Sequence, residues 1–193
     1  MIYPTEQNIE ILQDGTYEQD YIITQATKAC TVNDATNVIN CPCHKLVAGD
    51  RVAFSAENGD LPCGIDSGIA YFVIASGLTS GAFKISSTSG GAEVDFTIVS
   101  QTATYFVSKI RNLALCSFDA DIRADHLTPI LASMACSVLD PAAGTVRTVL
   151  TPAQTQALSA GDYVWDLKLK EGSTAFFYAR GRATVVATST RDI

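Results

Sequence analysis

Between Val146 and Lys170 the sequence reads as strand, short helix, strand, and this stretch restricts the fold more than any other. Thr151 is a good N-cap, Pro152 sits where a missing N–H costs nothing, and Gln154 completes a capping box. Gly161 ends the turn. A helix of about two turns is too short to stand alone in water, so it must pack on a sheet as a connector. After it, Tyr163, Trp165, Leu167 and Leu169 alternate with Val164, Asp166, Lys168 and Lys170. That period of two gives one buried and one mostly polar face. Trp165, the chain's single tryptophan, lies on the buried face.

The rest of the chain agrees with a sheet protein. Helical periodicity is scarce, and a hydrophobic content of 47% with 17% charged residues is globular rather than disordered. The expected fold class is all-β: an immunoglobulin-like β-sandwich interrupted by an inserted small β module, with one short connector helix. Residues 1–25 plus 106–193 form the sandwich, as a docking domain, and 26–105 the insert. Insertions succeed where the ends of a surface loop lie close together.

In the sandwich, Asn8–Leu12 and Asp20–Thr24 flank Asp14-Gly15, a hairpin signal that also admits a longer loop. The Asp20–Thr24 strand is expected beside Cys116–Arg123. Along Leu113–Arg123 one side is apolar (Ala114, Cys116, Phe118, Ala120, Ile122), and the other carries Asp119 and Asp121, read as a solvated face. Ala132–Leu139 is a further strand. Phe176–Thr188 is one long final strand or two shorter ones, with Gly181 as its bulge. In the insert, strands are expected at Asn37–Asn40, Arg51–Ser55, Ala70–Ala75, Ala82–Ser86 and Val94–Val99, with turns at Asn58-Gly59 and Gly90-Gly91.

Two sets of motifs resemble known proteins. Asp14-Gly15-Thr16-Tyr17, Asp119–Arg123, the block from Leu150 to Leu167 (Leu150-Thr151, Gln154-Thr155, Leu158, Gly161, Tyr163, Asp166-Leu167) and Thr190-Arg191 occur in the order seen in β-rich bacteriophage virion domains. Among these is the N-terminal domain of siphophage baseplate upper proteins. The second set is His44, Leu46, Gly49-Asp50 and Val52, then Leu61-Pro62-Cys63-Gly64, Tyr71–Ile74, Phe83–Ser86 and Gly90–Thr97. It resembles a module of phage tail and fibre proteins, which commonly holds small or polar residues where Cys43 and Cys63 stand.

The resemblance implies a non-enzymatic structural component of a tailed-phage virion: a tail, baseplate or fibre-attachment adaptor. Capsid decoration, or a place at the neck between head and tail, is the alternative, and a carbohydrate-binding module a further one. It implies partners among other virion proteins and copies of the chain itself in a symmetric assembly. The localisation it implies is the virion, after synthesis in the host cytoplasm. No long coiled coil of the kind a fibre needs is expected, which leaves a short adaptor on the tail or a protein decorating the capsid or its neck.

Composition bears on partners. The net charge is −7, and 13 Lys and Arg are spread along the sequence without a cluster. No nucleic-acid partner is therefore expected. No apolar run reaches the roughly 18 residues of a membrane span, and Met1–Glu6 lacks a basic and an apolar region, so neither a membrane partner nor a signal peptide is expected. The cysteines, at 30, 41, 43, 63, 116 and 136, are then expected as free thiols.

Cys41-Pro42-Cys43-His44, with Cys63 and Cys30, is the best metal candidate, but Cys-x-Cys is too tight for a zinc knuckle and no second pair follows. The alternative is a disulfide from Cys41 or Cys43 to Cys63. No metal, cofactor or catalytic residue is expected. A triad assembled from Cys43, His44 and Asp50 has no catalytic signature around it. Asp125 and His126 sit in a loop. An enzyme of the small-hydrolase kind would need a convergent pocket with a perturbed base. The interface candidates are Phe176, Phe177 and Tyr178: three consecutive aromatics on a strand cannot all face one core.

Overall fold

In the computed structural model, described for residues 5–100 and 102–188, the chain is all-β. The elements in chain order are β1 (Thr5–Glu6), β2 (Ile9–Leu12), β3 (Tyr17–Ile22), β4 (Thr24–Asn33), β5 (Val38–Asn40), β6 (Arg51–Glu57), β7 (Tyr71–Ile74), β8 (Ala82–Ser86) and β9 (Thr104–Ile110). They continue with β10 (Cys116–Arg123), β11 (Ile130–Asp140), β12 (Thr145–Leu150), α1 (Pro152–Ala157), β13 (Gly161–Glu171) and β14 (Thr174–Val186). Two compact units result: Met1–Ile23 with Asn112–Ile193, and Thr24–Arg111. The Thr190-Arg191 motif lies outside the described residues.

The first unit is one eight-stranded sheet in the order β1-β14-β13-β10-β11-β12-β3, with β2 also on β14. β11 bends the sheet into a sandwich-like shape. Its first half pairs with β10 (Ala120↔Met134, Ile122↔Ala132) and its second with β12 (Ala135↔Val149, Val138↔Val146), so one strand serves two rows. β1 and β2 run parallel to β14. The Asp14-Gly15 turn is therefore not a hairpin: β2 pairs with β14 and β3 with β12, at opposite ends of the sheet. Only four residues, 13–16, join those ends, so the sheet has to curl back on itself. β3 also does not neighbour β10, contrary to the sequence expectation; β10 is flanked by β11 and β13.

The core inside this sheet includes Ile11, Tyr21, Ile122, Leu150, Trp165, Leu167 and Ala183. Trp165 is 1% exposed and donates its indole N–H to the Gln7 carbonyl at 2.8 Å, which satisfies the one polar atom its burial would otherwise strand. α1 is the sole helix of the described residues and carries the expected capping box between Thr151 and Gln154. Its buried Thr155 donates to the Gly15 carbonyl at 2.8 Å, tying the connector to the β2–β3 turn.

β14 breaks its alternation, though not at Gly181. Leu167 faces Ala179 and Lys168 faces Phe177, so Tyr178 is the extra residue of a bulge. Two consecutive residues, Tyr178 and Ala179, then turn inward, and Phe177 is turned out. Gly181 has another reason to be glycine: a Cβ there would lie 2.0 Å from the Gln7 carbonyl oxygen.

The second unit is a closed six-stranded barrel in the order β4-β5-β8-β7-β6-β9 around Ile39, Val52, Phe54, Val73, Phe83, Ile85 and Val107. Closure leaves no strand edge to aggregate. The barrel unit runs from Thr24 to Arg111, wider than the expected 26 and 105, positions that fall inside β4 and β9. Those two strands pair with one another, Thr24↔Ile110 and Cys30↔Tyr105, and close the barrel. Val94–Val99 is not a strand; it makes one bridge, Cys63↔Thr97, and its Val94, Phe96 and Ile98 amides donate to the Ile85 carbonyl, Asn37 and Asp34. Beside that bridge a Cβ on Gly64 would meet the Asp95 carbonyl at 2.5 Å, a physical reason for glycine after Leu61-Pro62-Cys63.

Candidate interaction face

β10, β13 and β14 of the first unit expose a charged outer face built by register. Ser133, Asp121, Asp166, Arg180 and Glu6 are successive cross-strand partners from β11 to β1. Two carboxylates directly opposite one another repel, and Arg123 resolves the conflict. Its Nη1 donates to Asp166 Oδ2 at 2.7 Å and its Nη2 to Asp121 Oδ2 at 3.0 Å. The Ser133 hydroxyl donates to Asp121 Oδ1 at 2.8 Å. Asp121 is only 8% exposed, so the face expected to be solvated is covered there by the length of Arg123.

The next row joins Asp119, Lys168 and Phe177. Lys170 pairs with Asp119, and the Lys168 ammonium sits 5.1 Å from the Phe177 ring centroid. Arg180 and Arg182 reach Glu6 and Asp162 only at 3.8 Å, both on the rim. Of the first unit's described Lys and Arg, all except Arg147 stand on this face. The basic residues look dispersed along the sequence because β13 and β14 are consecutive strands whose outward positions meet only after folding. Each cation has a carboxylate neighbour, so the face alternates in sign.

The three sequence-selected aromatics separate. Phe177 is 48% exposed, while Phe176 and Tyr178 pack on the core, and the Tyr178 hydroxyl donates to the Ile22 carbonyl at 2.8 Å. Phe177 opens on a cavity of about 680 Å³ lined also by Arg123, His126, Asp166, Lys168 and Arg180. His126 and Arg180 continue into a neighbouring one of about 560 Å³. His126, read from sequence as an isolated loop residue, thus joins the face. Its neighbour Leu127 is 97% exposed. Sequence reasoning missed Arg123, Asp166, Lys168 and Arg180; part of the signal was there, as charges two apart at Asp166, Lys168 and Lys170 of β13 and at Arg180 and Arg182 of β14.

The cysteine and histidine candidates lie in the barrel and do not converge. Cys30 and Cys41 are buried, Cys43 and Cys63 exposed, and all six cysteines are thiols. Among the described residues no group of three or more His, Cys, Asp or Glu side chains is placed to hold a metal ion. Burial pushes the Cys30 thiol up to about 12 and raises Cys41 as well. His44 Nδ1 accepts from the Leu46 amide at 2.9 Å, while Asp50 accepts from the Val47 amide and holds Lys109 at 2.7 Å. The paper triad of Cys43, His44 and Asp50 is therefore not connected.

No protein-family model matches the chain, and no curated protein matches it.

Proposed function

We propose that the chain is a structural component of a tailed-phage virion, a tail, baseplate or fibre-attachment adaptor that works by protein contact and turns over no substrate. In this reading the first unit is an immunoglobulin-like docking domain. Its rows β3-β12-β11 and β10-β13-β14 follow the B-E-D and C-F-G order of such sandwiches, with β11 shared. The sequence pieces that resemble virion proteins support it: the Leu150–Leu167 block becomes β13 and its capped connector, and the second set of motifs falls within the barrel.

The observation that carries the reading is the outer face around Phe177. A half-exposed aromatic amid paired charges of both signs suits a protein surface better than a polyanion, which would meet as many carboxylates as cations. Stable contacts of this kind bury on the order of 1,200–2,000 Å² in total.

Phe177→Asp tests it. The isolated variant should stay folded, because an exposed change costs little. Its incorporation into particles should fall. Normal incorporation of the variant would remove Phe177 from the interface. Absence of the wild-type protein from purified particles would remove the virion assignment itself.

A further inference from the structure

We infer that Cys30 and Cys41 form a disulfide across the barrel's first two strands when the chain meets an oxidising environment, so that the barrel carries a redox-responsive staple. The inference rests on the barrel alone and stands apart from the virion reading.

The strand register brings the two thiols together. β4 and β5 pair antiparallel as Asn33↔Val38, Val32↔Ile39 and Thr31↔Asn40, and one step further along the same register Cys30 stands opposite Cys41. Both side chains belong to the barrel core, at 7% and 0% exposed, so they share its inner face. The Cys41 amide donates to the Gly81 carbonyl at 2.8 Å, on the β8 side, so its backbone groups turn away from β4. Cys30 and Cys41 are therefore a pair without mutual backbone hydrogen bonds. That is the closer kind, with Cα atoms about 4.5 Å apart and the side chains nearer still to contact. Disulfides span Cα atoms about 4.4–6.8 Å apart. The other paired cysteines face different residues: Cys63 faces Thr97, Cys116 faces Glu171 and Cys136 faces Thr148.

The step is a two-electron oxidation by a small-molecule disulfide such as oxidised glutathione. One protein thiol gives up its proton, and its sulfur attacks the oxidant and releases one small thiol. The second protein thiol then loses its proton, and its sulfur displaces the other small thiol from the mixed disulfide. The Cys30 Sγ–Cys41 Sγ bond forms, and two protons and two electrons leave on the two small thiols. Burial governs the rate. The Cys30 thiol is pushed up to about 12, by burial first and by Cys41 beside it second, and burial also raises Cys41. Neither sulfur is a ready thiolate in the closed barrel, so the pair stays reduced until the strands open. Once formed, the bond ties β5 to β4, the strand that closes the barrel on β9 through Cys30↔Tyr105.

The test uses the full chain with Cys43→Ser and Cys63→Ser, which removes the two exposed thiols. The chain is brought from urea into glutathione buffers of graded oxidised-to-reduced ratio, quenched with acid, and its remaining thiols are alkylated. Cleavage after Lys28 and Lys45 and before Asp34 separates Ala29–Asn33 from Asp34–Lys45, and mass spectrometry finds the two peptides joined where Cys30 is linked to Cys41. The link should reach half-population at a ratio about tenfold or more further toward the reduced side in buffer than in urea, because the folded barrel holds the sulfurs together. Oxidation should also raise the melting temperature of the barrel and leave that of the first unit in place. Cys41→Ala in the same background should abolish the joined peptides. A link that forms no more readily in the folded chain than in urea, that runs to Cys116 or Cys136 instead, or that lowers the melting temperature of the barrel overturns the proposal.

Discussion

Replacing Arg123 by Met would leave Asp121 and Asp166 in register on neighbouring strands with no cation between them. Breaking a buried pair costs about 3–5 kcal/mol, and here some water still reaches the carboxylates, so a loss of about 2–3 kcal/mol is expected in urea unfolding. Adding Asp121→Asn should restore part of it, because the repulsion is then gone. The cysteines give a second test at this scale. Cys43 and Cys63 should react with a thiol reagent within the mixing time, and Cys30 and Cys41 only on opening of the barrel. Cys30 has a folded pKa of about 12 against an ordinary 9.0. The neutral thiol is the favoured form, so its contribution is complete below pH 9 and declines as pH rises toward 12. Cys30→Ala should flatten that alkaline decline in stability measured by denaturant titration. Single residues were only partly legible in the sequence. Trp165 was placed by alternation, whereas the burial of Asp121 depends on an arginine two positions along the same strand and on Ser133 across the sheet, and no local pattern records that.

Elements were legible where their own residues decide them. Thr151 and Gln154 specify α1 within four positions, and Thr151→Ala should cost about 1 kcal/mol in thermal unfolding. β6, β7 and β8 alternate in plain view. β4 was missed because Thr24–Asn33 has few apolar side chains: a barrel strand with a solvated outer face buries only Cys30 fully. β9 was given to the resumed sandwich, since a sequence does not say which sheet a segment joins, so the boundary at 105 fell in the middle of the barrel's closing pair. The Asp14-Gly15 signal gave a turn correctly and its partners wrongly, because parallel pairing of β2 on β14 spans most of the chain. At Gly181, alanine should push the β1–β2 segment off β14, since Gln7 has no room to retreat while Trp165 is bonded to its carbonyl. Faster amide exchange in Ile9–Leu12, with β12 unaffected, would show it.

The whole molecule consists of two units with separate hydrophobic cores. Calorimetry should accordingly resolve two transitions rather than one, and Ile39→Ala should lower one of them while leaving the other within about 1 °C. Charge divides unevenly as well: most of the net −7 belongs to the first unit, where Arg147 pairs with Glu18 and Asp20 across β12 and β3 and the other described cations gather on the outer face of β10, β13 and β14. Like-charged copies repel over most of that unit's surface, and the sign-alternating face is where approach costs least.

Thr24 and Ile110 are paired across β4 and β9, so the barrel starts and finishes about 5 Å apart, one strand spacing. A body with adjoining ends behaves as a cassette. Recombination at two nearby points, after Ile23 and before Asn112, would exchange it for any other body of like ends without altering the thread of its host. Lineages carrying this gene could therefore trade barrels while keeping the host sheet, and with it the Arg123 clamp and the Trp165 core, unchanged.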